Sequence, residues 1–159
     1  MNMDWDSYFL NIACVVRLKS KDPSTKVGAV IVGADHNIIS TGFNGFPRGV
    51  LDYAWRYEDR AIKYALVEHA ERNAIYNAAR HGIRLEGSTL YMVGMGPPTL
   101  PCSDCAKGII QSGIKHLVVS GYKPLTPGWE ESLATSGSMF KEAGIHPVEI
   151  PFSEVLNAS

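Results

Sequence analysis

Pro101-Cys102-Ser103-Asp104-Cys105-Ala106-Lys107-Gly108-Ile109-Ile110-Gln111-Ser112-Gly113-Ile114-Lys115-His116-Leu117-Val118-Val119-Ser120 reads as a helix over Ser103–Ser112, a stop at Gly113, and a strand over His116–Ser120. A glycine just past the last helical residue accepts the left-handed conformation that closes a helix, and the apolar, β-branched run after it favours a strand. Working outward, Thr89 to Val93 is a strand, and Gly94 to Pro101 is a Gly/Pro-rich connection. From His69 to about His81 the Ala-rich sequence predicts a helix ended by Gly82. Val27–Val32 and Asn37–Phe43 are short apolar runs joined by Gly33-Ala34-Asp35-His36, the pattern of a hairpin. Trp5, Tyr8, Phe9, Ile12, Ala13, Val15 and Val16 fall largely at helical spacing and predict an amphipathic helix over 5–19. Ser20-Lys21-Asp22-Pro23 closes it, because proline disfavours helical geometry in the residue before it. A helix at 129–143, stopped by Gly144, and a strand at 145–150 complete the set, and the last nine residues read as a fraying tail. Residues 50–68 mix aromatics with charges, with a helix expected near 57–65. An opening helix followed by β-β-α-β-α-β-α-β predicts an α/β fold, a mixed sheet with helices packed across its faces.

The 159 residues fit one domain over 1–159, and 45% hydrophobic with 19% charged residues is a globular composition. The net charge of −1 and the lack of a Lys/Arg run leave no nucleic-acid footprint, whereas a small phosphorylated ligand needs only a few cations. The acidic start, Met-Asn-Met-Asp-Trp-Asp, lacks the basic and apolar regions of a signal peptide, and no apolar stretch is long enough to span a membrane. A cytoplasmic location is expected. Three cysteines are too few for a disulfide framework there, so the close pair reads as metal-binding or redox-active.

Two motifs carry the chemistry: His69-Ala70-Glu71 where one helix begins, and Pro101-Cys102-Ser103-Asp104-Cys105 where the next begins. Together they spell H-x-E…P-C-x-x-C, a pattern associated with zinc-dependent deaminases. Cys102 and Cys105, three apart around one helical turn, can aim both sulfurs at one point, and a helix N-terminus favours their thiolates. With the imidazole of His69 they make three protein ligands for Zn2+, the number that leaves a catalytic position open. In a regular helix Glu71 points away from His69, so the two converge only if His69 sits at the cap. Two thiolates formally neutralise the dication and weaken it as a Lewis acid; a nearby carboxylate and two helix N-termini offset that. Glu71 would then move protons from water to a ring nitrogen and to departing ammonia. A redox C-x-x-C is disfavoured by its context, and a structural zinc site lacks a fourth ligand, since Cys14 lies on the apolar face of the first helix and reads as core. His36, His81, His116 and His146 fall in turns or at element ends and read as non-catalytic.

Beyond these motifs the chain resembles the deoxycytidylate deaminase family of the cytidine deaminase superfamily. Ser20-Lys21-Asp22-Pro23-Ser24-Thr25-Lys26-Val27-Gly28-Ala29-Val30-Ile31-Val32 is similar to that family's first loop and strand, and Gly42-Phe43-Asn44-Gly45-Phe46-Pro47-Arg48-Gly49 to its G-x-N-G-x-P loop. Lys63-Tyr64 ahead of His69-Ala70-Glu71-Arg72-Asn73-Ala74-Ile75, and Cys105-Ala106-Lys107 ahead of Ile109 to Lys115, extend the likeness, which covers about residues 5–121. The resemblance implies a three-layer, five-stranded mixed sheet, a single zinc-dependent deaminase domain, and conversion of dCMP and water to dUMP and ammonia. It implies substrate contacts from Asn44, Ala70 and the Ser24-Thr25-Lys26 segment, with Lys26 the sensible phosphate partner. It further implies a homo-oligomer, commonly a hexamer in the family, and in some members regulation by a nucleoside triphosphate with magnesium.

Two departures bear on the substrate. Gly94-Met95-Gly96-Pro97-Pro98-Thr99-Leu100 lengthens the approach to Pro-Cys, and Glu68 stands before His69 where the family often has cysteine. Glu68 reads foremost as a solvated carboxylate, with contact near the metal ligands as the alternative. The 50–68 segment, carrying Tyr53, Trp55, Arg56, Tyr57, Arg60, Lys63 and Tyr64, reads either as a lid over a base and phosphate or, the preferred reading, as a packing or subunit-contact segment. Four functions stay open: a dCMP deaminase, a deaminase of another base (purine, pteridine-like or modified pyrimidine), a non-catalytic zinc-stabilised nucleotide-binding module and, against the neutral charge and the lack of a basic tract, action on RNA or DNA.

Overall fold

The computed structural model describes residues 3–155. The elements run α1 (Trp5–Arg17), β1 (Gly28–Val32), β2 (Ile38–Phe43), α2 (Ala54–Glu58), α3 (Arg60–Leu66), α4 (Ala70–Arg80), β3 (Thr89–Met95), α5 (Ser103–Gln111), β4 (His116–Lys123), α6 (Glu130–Glu142), β5 (Val148–Glu149) and a 3-10 turn at Phe152–Glu154. One five-stranded sheet has the order β2-β1-β3-β4-β5. β1 pairs antiparallel with both β2 and β3, while β3–β4 and β4–β5 are parallel. Parallel neighbours need a crossover, and α5 and α6 supply the two. This is the expected α/β architecture, a five-stranded mixed sheet with helices packed across its faces.

Alternation along the strands divides the core into two layers. Ala29, Ile31, Leu90, Met92, Leu117 and Val119 face one way and pack with Ala70, Ala74, Ile109 and Phe140 of α4, α5 and α6. Val30, Val32, Tyr91, Val93 and Val118 face the other way and pack with Phe9, Leu10 and Ala13 of α1. Every residue of β1 is buried, because both faces of this strand are covered. Two glycines make the close packing possible. A Cβ at Gly28 would lie 2.2 Å from the Ala13 carbonyl oxygen of α1, and one at Gly42 would lie 2.2 Å from the Ala70 carbonyl oxygen of α4.

Several expectations are corrected. The helix anticipated near 57–65 is two short helices broken at Asp59, whose extended backbone lets its carboxylate cap α3 by accepting from the Ile62 N–H at 3.0 Å. The 145–150 strand shrinks to two residues, since Ile145 is drawn into the core beneath α6 instead of extending the sheet. Within the anticipated tail, a 3-10 turn at Phe152–Glu154 leads to Val155, which is buried against the α1 layer beside Phe152. Residues 156–159 of the anticipated tail lie outside the described residues. β3 and β4 run on past Val93 and Ser120 to Met95 and Lys123, which carries their ends toward the cleft described below. Among the described residues no helix is long and apolar enough to cross a membrane.

Candidate active site

The strand register places the cleft. Gly28 lies opposite Phe43 on one side and Val93 on the other, and Val93 lies beside Ser120. Val27, Asn44, Gly94 and the segment after β4 therefore emerge along one edge of the sheet, and a cleft opens there, outside the carboxyl ends of β3 and β4, where α/β sheets characteristically bind ligands. α4 and α5 begin at this edge.

His69 is the N-cap of α4 and Cys102 the N-cap of α5; both have extended backbones, and neither side chain caps its own helix. His69 thus stands outside helical geometry, and both it and Glu71 line the cleft, as convergence requires. The His69 Nδ1 is 3.4 Å from the Sγ of Cys102 and 3.4 Å from the Sγ of Cys105. All three ligand atoms lie within 4.8 Å of one another. Tetrahedral zinc with ordinary Zn–N and Zn–S bonds needs N···S spacings of about 3.5 Å, so this trio fits zinc in both geometry and chemistry.

Left to each other, the three groups share protons unevenly. The hydrogen bond with Cys105 brings Cys102 down to about 4, with help from the imidazole and against the effect of burial. The same hydrogen bond and deep burial push Cys105 up. Burial opposes a charged His69, but the Cys102 hydrogen bond and the Glu71 carboxylate outweigh it and raise the imidazole. A cation bound here must displace the proton on Cys105, so metal affinity falls in acid. Glu71 is 4% exposed, and burial raises its carboxyl above the usual range, with the charge of His69 opposing.

Glu68 is not a solvated glutamate. Its Oε1 accepts from the His69 backbone N–H at 2.9 Å and from Arg72 Nε at 2.7 Å, one turn along α4. Its backbone exchanges hydrogen bonds with Gly45, tying the start of α4 to the loop after β2. The carboxylate therefore fixes the residue that presents the imidazole.

The expected substrate-contacting residues divide. Asn44 and Ala70 are buried and line the cleft, as does Thr25. Asn44 is also structural: its Oδ1 accepts from Val27 N–H at 2.8 Å and its Nδ2 donates to the Thr25 carbonyl at 2.8 Å. Ser24 is exposed at the rim, with its hydroxyl bound to Asp22. Lys26 does not line the cleft; its ammonium donates to the Ser20 carbonyl. Two lysines from other elements reach Ser24 and Thr25 instead. Lys63 of α3 donates to Ser24 Oγ at 2.6 Å and to Asp22 at 2.9 Å. Lys123, at the end of β4, donates to the Ser24 carbonyl at 2.6 Å and to Thr25 Oγ1 at 3.2 Å.

The 50–68 segment is split in its role. Lys63, Tyr64 and Val67 form part of the cleft wall, whereas Tyr57 stacks on Phe46 at 4.3 Å and Tyr53 and Trp55 are exposed away from the lining. The 94–100 connection borders the cleft through Gly94, Met95 and Leu100. Sequence reasoning passed over Leu125, Thr126, Trp129 and Leu133, which form another part of the wall, and Asp22, which is 1% exposed and anchors the first loop. The signal for Trp129 was there: a tryptophan directly after Pro-Gly, at the start of a helix.

The comparisons agree with this geometry. Residues 3–121 match the model of the cytidine and deoxycytidylate deaminase zinc-binding region. An uncharacterized deaminase in the luxG 3′ region of Aliivibrio fischeri is 40% identical, covering 92% of this chain and 94% of the relative. The Mus musculus deoxycytidylate deaminase is 36% identical, covering 90% of this chain and 78% of the relative. The crystal structure of a cyanophage S-TIM5 dCMP deaminase in complex with dCMP and dUMP superposes with a TM-score of 0.71 at 22% identity, over 94% of this chain and 99% of that one. With its imidazole and two thiols gathered where two helices start, this chain belongs to the cytidine and deoxycytidylate deaminase zinc-binding family, and is a zinc-dependent aminohydrolase.

Proposed function

We propose that this deaminase acts on dCMP, giving dUMP and ammonia. The observation that carries the reading is the make-up of the cleft: His69, Cys102 and Glu71 line it together with Thr25 and Lys63, and Lys63 and Lys123 both donate hydrogen bonds to the Ser24–Thr25 turn. A nucleoside monophosphate has the matching layout, an aminated ring at one end and a dianion at the other. The relatives named for deoxycytidylate deamination support the reading.

His69, Cys102 and Cys105 would hold the zinc, whose Lewis acidity makes water a competent nucleophile at neutral pH. Glu71, whose carboxyl is raised by burial, accepts a proton from the attacking water and hands it to the ring nitrogen beside the amino-bearing carbon. It then serves the departing ammonia in the same way. Asn44, held by Val27 and Thr25, fixes the loop facing the sugar, and the buried Ala70 brings the first turn of α4 against the base. Lys63 and Lys123 meet the phosphate in the role that sequence alone gave to Lys26.

Ammonia release from a panel of dCMP, CMP, deoxycytidine and a two-ring aminonucleotide tests this. Turnover highest on dCMP supports the reading, and inactivity on dCMP with turnover elsewhere in the panel overturns it. The apolar Met95 and Leu100 of the longer 94–100 connection favour one alternative, a pyrimidine nucleotide with a modified ring.

A further inference from the structure

Trp129 lies on the segment between β4 and α6, outside the metal motifs and outside the family match, which ends at residue 121. Its indole lines the cleft together with Glu71 and Cys102. The ring centroid is 6.0 Å from that of His69, tilted by 55°, and 6.0 Å from that of Tyr64, edge to face. These are contact distances for aromatic pairs, so no planar ligand fits between the indole and the ligating imidazole. The indole therefore bounds the cleft on one side of the metal ligands.

Its backbone is anchored on both sides. Gly128 adopts φ +98°, turning the chain so that Trp129 becomes the N-cap of α6. Leu133, one turn further on the same helical face, also lines the cleft. Between them Ser132 Oγ accepts from the Ser103 backbone N–H at 3.0 Å and donates to Ser103 Oγ at 3.1 Å. Ser103 follows Cys102 directly, so the first turn of α6 is bolted to the first turn of the ligand-bearing helix. The backbone that carries Trp129 is thereby tied to the helix that carries Cys102 and Cys105.

Resting on the reading that the substrate is a single-ring aminonucleotide, we infer that Trp129 is the specificity-determining residue that enforces it: its indole occupies the space a second fused ring would need. Replacing it with alanine vacates a volume of the shape of a bicyclic heterocycle.

The test uses zinc-loaded full-length protein. W129A is expected to lose about tenfold in kcat/KM on dCMP, chiefly through KM as an aromatic contact is removed, and to gain measurable ammonia release from deoxyadenosine monophosphate. W129F, which keeps an aromatic wall, stays closer to the parent on dCMP, and circular dichroism and zinc content establish that both variants fold. A binding readout is independent of turnover: with Trp5 and Trp55 changed to Phe in an E71Q background, Trp129 is the sole tryptophan, and its emission should respond to dCMP, CMP or cytidine but not to deoxyadenosine monophosphate. An unchanged ratio of dCMP to deoxyadenosine monophosphate turnover in W129A, or equal response of Trp129 to one-ring and two-ring ligands, overturns the inference. If the parent leaves dCMP untouched while CMP or cytidine alone perturbs Trp129, the dCMP reading fails and the role of Trp129 stands.

Discussion

His69 and Cys102 each occupy the N-cap of a helix, and each withholds its side chain from that cap. A good N-cap side chain accepts a hydrogen bond from an N–H of the first turn and stabilises the helix by about 1 kcal/mol. Here that stabilisation is forgone so that Nδ1 and Sγ can face one another at 3.4 Å.

The consequence can be measured at Cys102. C102S places a strong capping residue at the start of α5 while removing a thiolate ligand. Zinc content by mass spectrometry should fall far below one per chain and activity with it, whereas the metal-free variant should be as stable as the metal-free parent or more stable, by up to about 1 kcal/mol. Thermal melts in chelator read the second part.

Glu71 has a raised carboxyl because it is buried. A folded-state pKa above the unfolded one favours the folded state fully at low pH, and the advantage is lost as pH rises through the folded value. E71Q, permanently neutral, should therefore match the metal-free parent in acid and exceed it in stability at neutral pH. The same variant should lose at least about a hundredfold in kcat with zinc content intact. Denaturation at pH 4 and pH 7, beside steady-state ammonia release, checks both.

Asp22 behaves oppositely. Burial would raise its carboxyl, but hydrogen bonds from Lys63, Ser24 and Thr25 outweigh that and lower it. Its contribution is present above the unfolded pKa and is lost as pH falls through the lower folded value. D22N leaves Lys63, whose side chain is 12% exposed, without its partner, and should cost about 3 kcal/mol in urea denaturation while raising KM for dCMP, since the same lysine approaches Ser24.

Glu68 and Arg72 hold the backbone that presents His69. Because groups orienting a ligand matter nearly as much as the ligand, E68A should weaken zinc affinity about tenfold or more, measured by competition with a chelator. An affinity equal to that of the parent would reduce Glu68 to a surface ion pair.

Much of this was legible in the sequence because it is local. Gly82 and Gly113 close helices through their own backbones, and the three-residue spacing of Cys102 and Cys105 brings two sulfurs together within one turn. The cap position of His69 followed from the need to turn Glu71 toward it. What the sequence left hidden depends on chain segments far apart. Lys63 and Lys123 meet at Ser24 only because α3 and the end of β4 reach the same edge of the sheet, and β4 runs three residues past its expected end at Ser120. Lys26, adjacent to Ser24 and Thr25 in sequence, was the natural phosphate partner, yet it does not line the cleft, whereas Lys63 does. Glu68 looked like a surface carboxylate because a side chain bending back to the N–H of the next residue leaves no periodic trace.

Gly42 admits α4 so close to β2 that a methyl group would strike its backbone. The position of the imidazole is thus gauged by a missing side chain on a neighbouring strand, much as a shim sets the seat of a valve. Adding even one carbon there would push against the Ala70 and Ala74 backbone of the helix that starts directly after His69, so a site made of three ligands is calibrated by a fourth residue outside the cleft lining.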